Sequence, residues 1–323
     1  MPTNDPNAAW PPRNFEGYGK AGVQPDWPRN AKICVSLCLN VEEGGEYEVG
    51  LGDEHGESYG GEIGGRGAKT ERDPSIESEF EYGARAGLWR VLRIFDDLKV
   101  KCTVWAVGKS IERNPEAAKD MVNSGHEIAG HGYRWIDYSK MSIEEETNHV
   151  DAMIDGLTAA TGGIPPSGYY VGRHSLNTLQ LLAKAHKDRG IPLLYSSDTY
   201  ADDYPYYVPA PGGDKSEGLL MIPYALDTND FKFGLSNGFG SPDEFYAYLK
   251  SAFDYMFEEG QNGRPAMLSI GLHARIAGRP ARASALKRFL EYVLTKEEGD
   301  VWIATRKEIA EHWIKTHPYT AVV

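Results

Sequence analysis

Chemistry in this chain concentrates in two short stretches. Asn40-Val41-Glu42-Glu43-Gly44-Gly45-Glu46 sets three acids close together, and His131-Gly132-Tyr133-Arg134-Trp135 sets an imidazole beside two aromatic rings. Carboxylates with a histidine suit hydrolysis, either by activating water directly or with the help of a metal ion. Glu42 is the expected general base, because clustered carboxylates raise one another's pKa toward the range a base needs. A two-histidine metal site would place its second imidazole at position 135. Trp135 stands there, and an indole cannot ligate. That residue points away from zinc.

Further candidates follow other apolar runs. His273 ends the run Ala266–His273 and is a candidate general acid near neutral pH. Arg173, after Tyr170-Val171-Gly172, could fix a carboxylate or polarise a substrate carbonyl, or orient Glu42 or Asp198. Asp198, Asp227 and Asn229 sit in Asp- and Asn-rich clusters that either bond a polar substrate or simply make turns. Tyr133 and Trp135 are expected to wall a flat substrate. Arg275, Arg279 and Arg282 are read as lining a mouth or capping the following helix, and His126 as structural.

The elements that must position these groups alternate. Apolar runs at Lys32–Asn40, Lys101–Val107, His126–Gly130, Gly168–Val171, Ile191–Ser197, Leu220–Leu226, Ala266–His273 and Val301–Ala304 read as strands. Between them, Phe80–Leu98 carries Leu88, Val91, Leu92, Phe95 and Leu98 at helical spacing, and Asn114-Pro115-Glu116 opens a capped helix. Ser142-Ile143-Glu144-Glu145 is a capping box, and Asn177–Gly190, Ser241–Gly260, Pro280–Thr295 and Arg306–Lys315 are also helical. Strand-then-helix alternation predicts an α/β fold with parallel pairing. Polar clusters after so many strands converge better in a barrel than in an open doubly wound sheet, and a barrel keeps its chemistry at strand C-termini. Residues 43–75 break the rhythm with glycines and charges, as a lid, binding loop or interface arm would. Residues 1–30 are expected to pack over the barrel, and 1–323 to form a single domain.

With 323 residues the chain can bury one large core, and its net charge of −13 argues against nucleic acid or an anionic membrane as partner. Cys34, Cys38 and Cys102 form an odd set in apolar runs, which suggests reduced, buried thiols of a cytoplasmic protein. Residues 1–6 show neither a basic stretch nor an apolar one, so no signal peptide is expected.

In sequence the chain resembles the polysaccharide deacetylase superfamily, and within it the allantoinase-like branch. The resemblance rests on Asn40–Glu46, Glu81-Tyr82-Gly83-Ala84-Arg85-Ala86-Gly87, His131–Tyr138, Ser197-Asp198-Thr199-Tyr200, Leu226–Asp230, Leu272-His273-Ala274-Arg275 and Gly278–Arg282, in that order. It implies an α/β fold of the NodB-like type, a distorted (β/α) barrel, and an acidic pair at Glu42 and Glu43, the first as base and the second as a metal ligand in the deacetylases. It also implies a first histidine at His131 and, in the allantoinase branch, the tryptophan replacement and catalysis without a cofactor. Catalytic roles then fall to Glu42, His131, Arg173 and His273, on a cyclic ureide in purine breakdown, within a homotetramer. The alternatives are a metal-dependent deacetylase of an N-acetylated sugar polymer, with the ion at Glu43 and His131, a cyclic imide hydrolase, or a barrel that only binds.

Overall fold

Among the described residues nine strands run β1 (Ile33–Val41), β2 (Thr103–Ala106), β3 (Glu127–Gly130), β4 (Gly168–Tyr169), β5 (Tyr195–Ser196), β6 (Tyr206–Pro209), β7 (Gly218–Met221), β8 (Ala266–His273) and β9 (Val301–Ile303). The helices between them are α1 (Pro74–Tyr82), α2 (Leu88–Leu98), α3 (Gly108–Arg113), α4 (Pro115–Asn123), α5 (Ile143–Ala160) and α6 (Thr178–Arg189). They continue with α7 (Pro242–Gln261), α8 (Ala274–Ala277), α9 (Pro280–Val293) and α10 (Arg306–Thr316). This computed structural model describes residues 10–62, 67–212 and 216–321. Gly64 and Gly65 of the glycine-rich loop, and the first nine residues of the N-terminal arm, lie outside them.

Strand β1 is buried at every position. Ile33, Val35, Leu37, Leu39 and Val41 face the helices, whereas Cys34 and Cys38 face an inner cluster with Trp105, Tyr170, Tyr224 and Met267. A parallel strand covered on both faces needs this unbroken apolar run, which is why the sequence shows no alternation there. All three cysteines are free and buried. The inner cluster also holds Arg306, wholly buried, whose guanidinium bonds Cys38 Sγ, Ser197 Oγ, Ser269 Oγ and the carbonyls of Ile222 and Pro223.

The strands follow the order β6-β7-β5-β4-β3-β2-β1-β8, with β9 beside the start of β1. Pairing is parallel except between β6 and β7. Strand β8 does not meet β6. Its free side is stitched by loops instead: Asn229 bridges Gly271, and Met267 N donates to Asp203 O. The result is the NodB-like α/β fold, a curled half-barrel sheet wrapped by helices.

Four expectations change in detail. The run at Ile191–Ser197 pairs only over Tyr195–Ser196, and the strand expected at Leu220–Leu226 instead spans Gly218–Met221. Tyr206–Pro209 is a strand the pattern did not reveal, an edge position where a proline costs no ladder bond. The helix expected from Phe80 begins at Pro74 under an Asp73 cap and passes through a π-turn at Gly83–Gly87 before α2. The capping box expected at Ser142 is formed, and Thr305 makes a second one that opens α10. Among the described residues no helix is long and apolar enough to cross a membrane.

Candidate active site

Glu42 continues the inward face of β1 beyond Asn40, and Asn40 is in register with His273 at the end of β8. His131 directly follows β3. The three groups therefore emerge together at strand C-termini. Glu42 Oε1 lies 3.1 Å from His131 Nε2 and 3.5 Å from His273 Nε2, while Oε2 accepts from Arg275 Nη1 at 2.6 Å. Glu42 is 1% exposed and His273 4%.

His131 lies between the Tyr170 carbonyl at Nδ1 and the Glu42 carboxylate at Nε2. His273 stands between two carboxylates: its Nδ1 lies 2.6 Å from Asp230 Oδ1, and its backbone N–H donates to Asp230 Oδ2. Burial works against an imidazolium at His273, but Glu42 and Asp230 outweigh it and lift the pKa to about 9. Burial likewise works against charge on Glu42, yet Arg275 and then His273 hold its carboxyl well below the usual carboxylate range. The expected upward shift from clustered acids is thus reversed at Glu42. It occurs at its neighbours, where burial raises Glu43 and pushes Glu46 to about 7.

Arg275 was read as a mouth-lining or capping residue, and it is neither on the surface nor a cap. It is buried, donates to Glu42 and through its backbone N–H to Glu43 Oε1, and its Nη1 lies 3.5 Å from that oxygen. It reaches this place because α8 packs directly on the π-turn. A Cβ at Gly87 would collide with the Ala274 carbonyl, and one at Gly278 with both Ala274 and Gly87. Asp230 was passed over for Asp227 and Asn229. Four polar residues in a row gave no sign of which one turns inward.

Trp135 packs with Ile76, Phe80, Val107 and Phe231, and the Arg275 guanidinium lies 4.9 Å from its ring centre. Arg173 does not reach Glu42 or Asp198. Its guanidinium stacks 3.7 Å from the Trp135 ring centre and pairs with Glu57 at 3.0 Å. Glu57 opens a stretch of the glycine-rich loop, Glu57–Glu62, that lies over the site as a strap. Tyr59 packs on Phe231 with centroids 5.1 Å apart, and the Gly60 carbonyl accepts from Arg275 Nε at 2.8 Å.

Four expected substrate contacts lie elsewhere or are already occupied. Tyr133 packs against His149, with its hydroxyl 3.3 Å from Glu112, facing α3 and α5. Asp198 accepts from the backbone of Val171 and Gly172, so it shapes the loop after β4. Asp227 is exposed and accepts from Tyr248. Asn229 caps the turn at Asp230–Gly234 and donates to Tyr224. Two surface clefts, of about 810 and 690 Å³, are lined by none of Glu42, His131 or His273.

The residues do not fit a divalent ion. Both oxygens of Glu42 and Oε1 of Glu43 face donors, the guanidinium of Arg275 holds the place between the two acids, and Trp135 fills the slot of a second imidazole. Among the described residues no group of three or more His, Cys, Asp or Glu is disposed to hold a metal.

Residues 68–188 match the family model for polysaccharide deacetylase. A Schizosaccharomyces pombe protein named as a polysaccharide deacetylase is 42% identical over 94% of this chain and 98% of its own length. Two crystal structures superpose with a TM-score of 0.89 at 45% identity over 96% of the chain. One is described as a polysaccharide deacetylase from Pseudomonas aeruginosa PAO1 and matches over 100% of its length. The other is PuuE allantoinase, matching over 99%. Shared fold, near-complete coverage and this level of identity place the chain in the polysaccharide deacetylase family of hydrolases.

Proposed function

We propose that the protein opens the hydantoin ring of allantoin to give allantoate, without a metal. The observation that carries this is Arg275 between Glu42 and Glu43 beside Trp135: a fixed guanidinium occupies the position where the deacetylase chemistry would need an ion. The likeness to PuuE allantoinase at 45% identity supports the same reading.

Glu42, ionised in the resting site, takes a proton from the attacking water. Once Glu42 has taken that proton, His131 turns its Nε2–H from the carboxyl to the carbonyl oxygen as negative charge develops there. A preorganised donor of this sort contributes roughly 2.7–4 kcal/mol to lowering the barrier. His273, protonated and backed by Asp230, gives its Nε2 proton to the leaving ring nitrogen. Arg173, placed by the sequence among the catalytic groups, instead holds the strap through Glu57 and supports Trp135.

A second reading, deacetylation of an N-acetylated sugar polymer, is favoured by the names of the fission-yeast and Pseudomonas relatives. One assay separates the two. Protein stripped of metal with a chelator is incubated with allantoin, related hydantoins and chitooligosaccharides, and product is followed. Allantoate formation supports the proposal. Acetate release that depends on added metal sinks it.

A further inference from the structure

The guanidinium of Arg275 has three faces to satisfy. Nη1 is committed to Glu42, and Nε donates to the Gly60 carbonyl at 2.8 Å. Nη2 is buried and has no hydrogen-bond partner among the described residues. A buried donor left unmade costs the site its desolvation energy, so an unpaired nitrogen here is an unfilled half of a recognition edge. Nε and Nη2 together form the side of a guanidinium that engages two acceptors of a planar group at once.

The strap packs flush against that edge, with no room for a side chain. A Cβ at Gly60 would lie 2.8 Å from both Arg275 Nη2 and Phe231 Cζ, and 3.3 Å from Trp135 Cη2. Gly60 also sits at φ +80°, where other residues are strained. The Gly60 backbone therefore lies directly on two donors, a phenyl ring and an indole edge, and its carbonyl covers the Nε side of the edge.

Resting on the cyclic-ureide reading above, we propose that the Nε–Nη2 edge of Arg275 is the substrate-recognition edge of this site. The Gly60 carbonyl holds the edge until a planar cyclic ureide displaces it. The incoming ring presents one carbonyl oxygen, whose two lone pairs accept from both nitrogens, and lies against Phe231 and Trp135. The strap Glu57–Glu62 must then shift, and Arg275 acts as a specificity determinant as well as the partner of Glu42.

The test uses hydantoin as the probe with the full chain, wild type and Arg275→Lys. Binding is measured by calorimetry, and amide hydrogen exchange is followed at residues 57–62. Lysine offers one point charge in place of a two-donor edge, so hydantoin should bind about tenfold more weakly or worse. Saturating hydantoin should speed exchange across the strap of the wild type, a readout that does not require the variant to fold. Equal affinity in the folded variant, no binding to the wild type, or unchanged strap exchange each overturns the proposal. Allantoin hydrolysis with wild-type KM in Arg275→Lys would defeat this inference and leave the proposed function standing. Arg275-dependent hydantoin binding without allantoin turnover would do the reverse.

Discussion

Asp230 and His273 form the most tightly built pair of the site: a 2.6 Å contact from Oδ1 to the ring nitrogen, and a second bond from Oδ2 to the backbone of the same residue. Held at two points, the imidazole keeps its other nitrogen aimed at Glu42. Replacing Asp230 by Asn preserves shape but removes the charge that favours the imidazolium. Turnover of allantoin should fall roughly 10²–10⁴-fold, the usual contribution of a positioned acid. Wild-type turnover in Asp230→Asn would show that His273 needs no backing.

The pH profile follows from the same groups. His273 has its folded value raised from 6.5 to about 9, so the pairing it contributes is complete below the ordinary value and lost as pH rises through about 9. Glu42 is lowered below its ordinary 4.5, so its contribution is present above that value and lost only in stronger acid. The profile of kcat/KM should therefore stay level across neutrality and fall on the alkaline side near pH 9. In Asp230→Asn the fall should move to lower pH. If it stays in place, His273 is not its source.

Glu42→Gln tests the base and the buried ion pair together. Activity should drop by orders of magnitude. Removing one partner of a buried pair costs about 3–5 kcal/mol, and Glu43 at 3.5 Å from the same Nη1 should keep the loss near the lower end. Denaturant unfolding followed by tryptophan fluorescence measures it. A variant as stable as the wild type would mean that Arg275 finds its compensation elsewhere.

Gly87→Ala should damage the site from a distance. The added methyl collides with the Ala274 carbonyl, so the π-turn and α8 must part, and Arg275 moves with α8. Overpacking of this kind costs typically about 1–3 kcal/mol. The melting temperature should drop, and kcat should fall by more than the unfolded fraction explains. Full specific activity in the remaining folded protein would count against the close packing as the device that places Arg275.

Much of this molecule was legible in its residues. Unbroken apolar runs marked the buried parallel strands, because a strand covered on both faces has no polar side to show. Cap residues such as Asn114, Ser142 and Ser241 stood where helices begin, because the first turn needs side-chain acceptors. Glu42, His131, Trp135 and His273 could be picked out because strand ends converge whenever parallel strands curl.

Side-chain direction beyond a strand end was not legible. Tyr133 turned toward α3, Asp227 to solvent, Asn229 to its own turn and Arg173 to the strap, while Asp230 and Arg275 turned inward. These outcomes depend on loops packed against distant segments, such as Gly87 against Ala274 and Gly60 against Arg275. The charge state of Glu42 belongs to the same class. Its pKa depends on which cations lie against it in space, and a guanidinium 233 residues away leaves no trace in the local sequence.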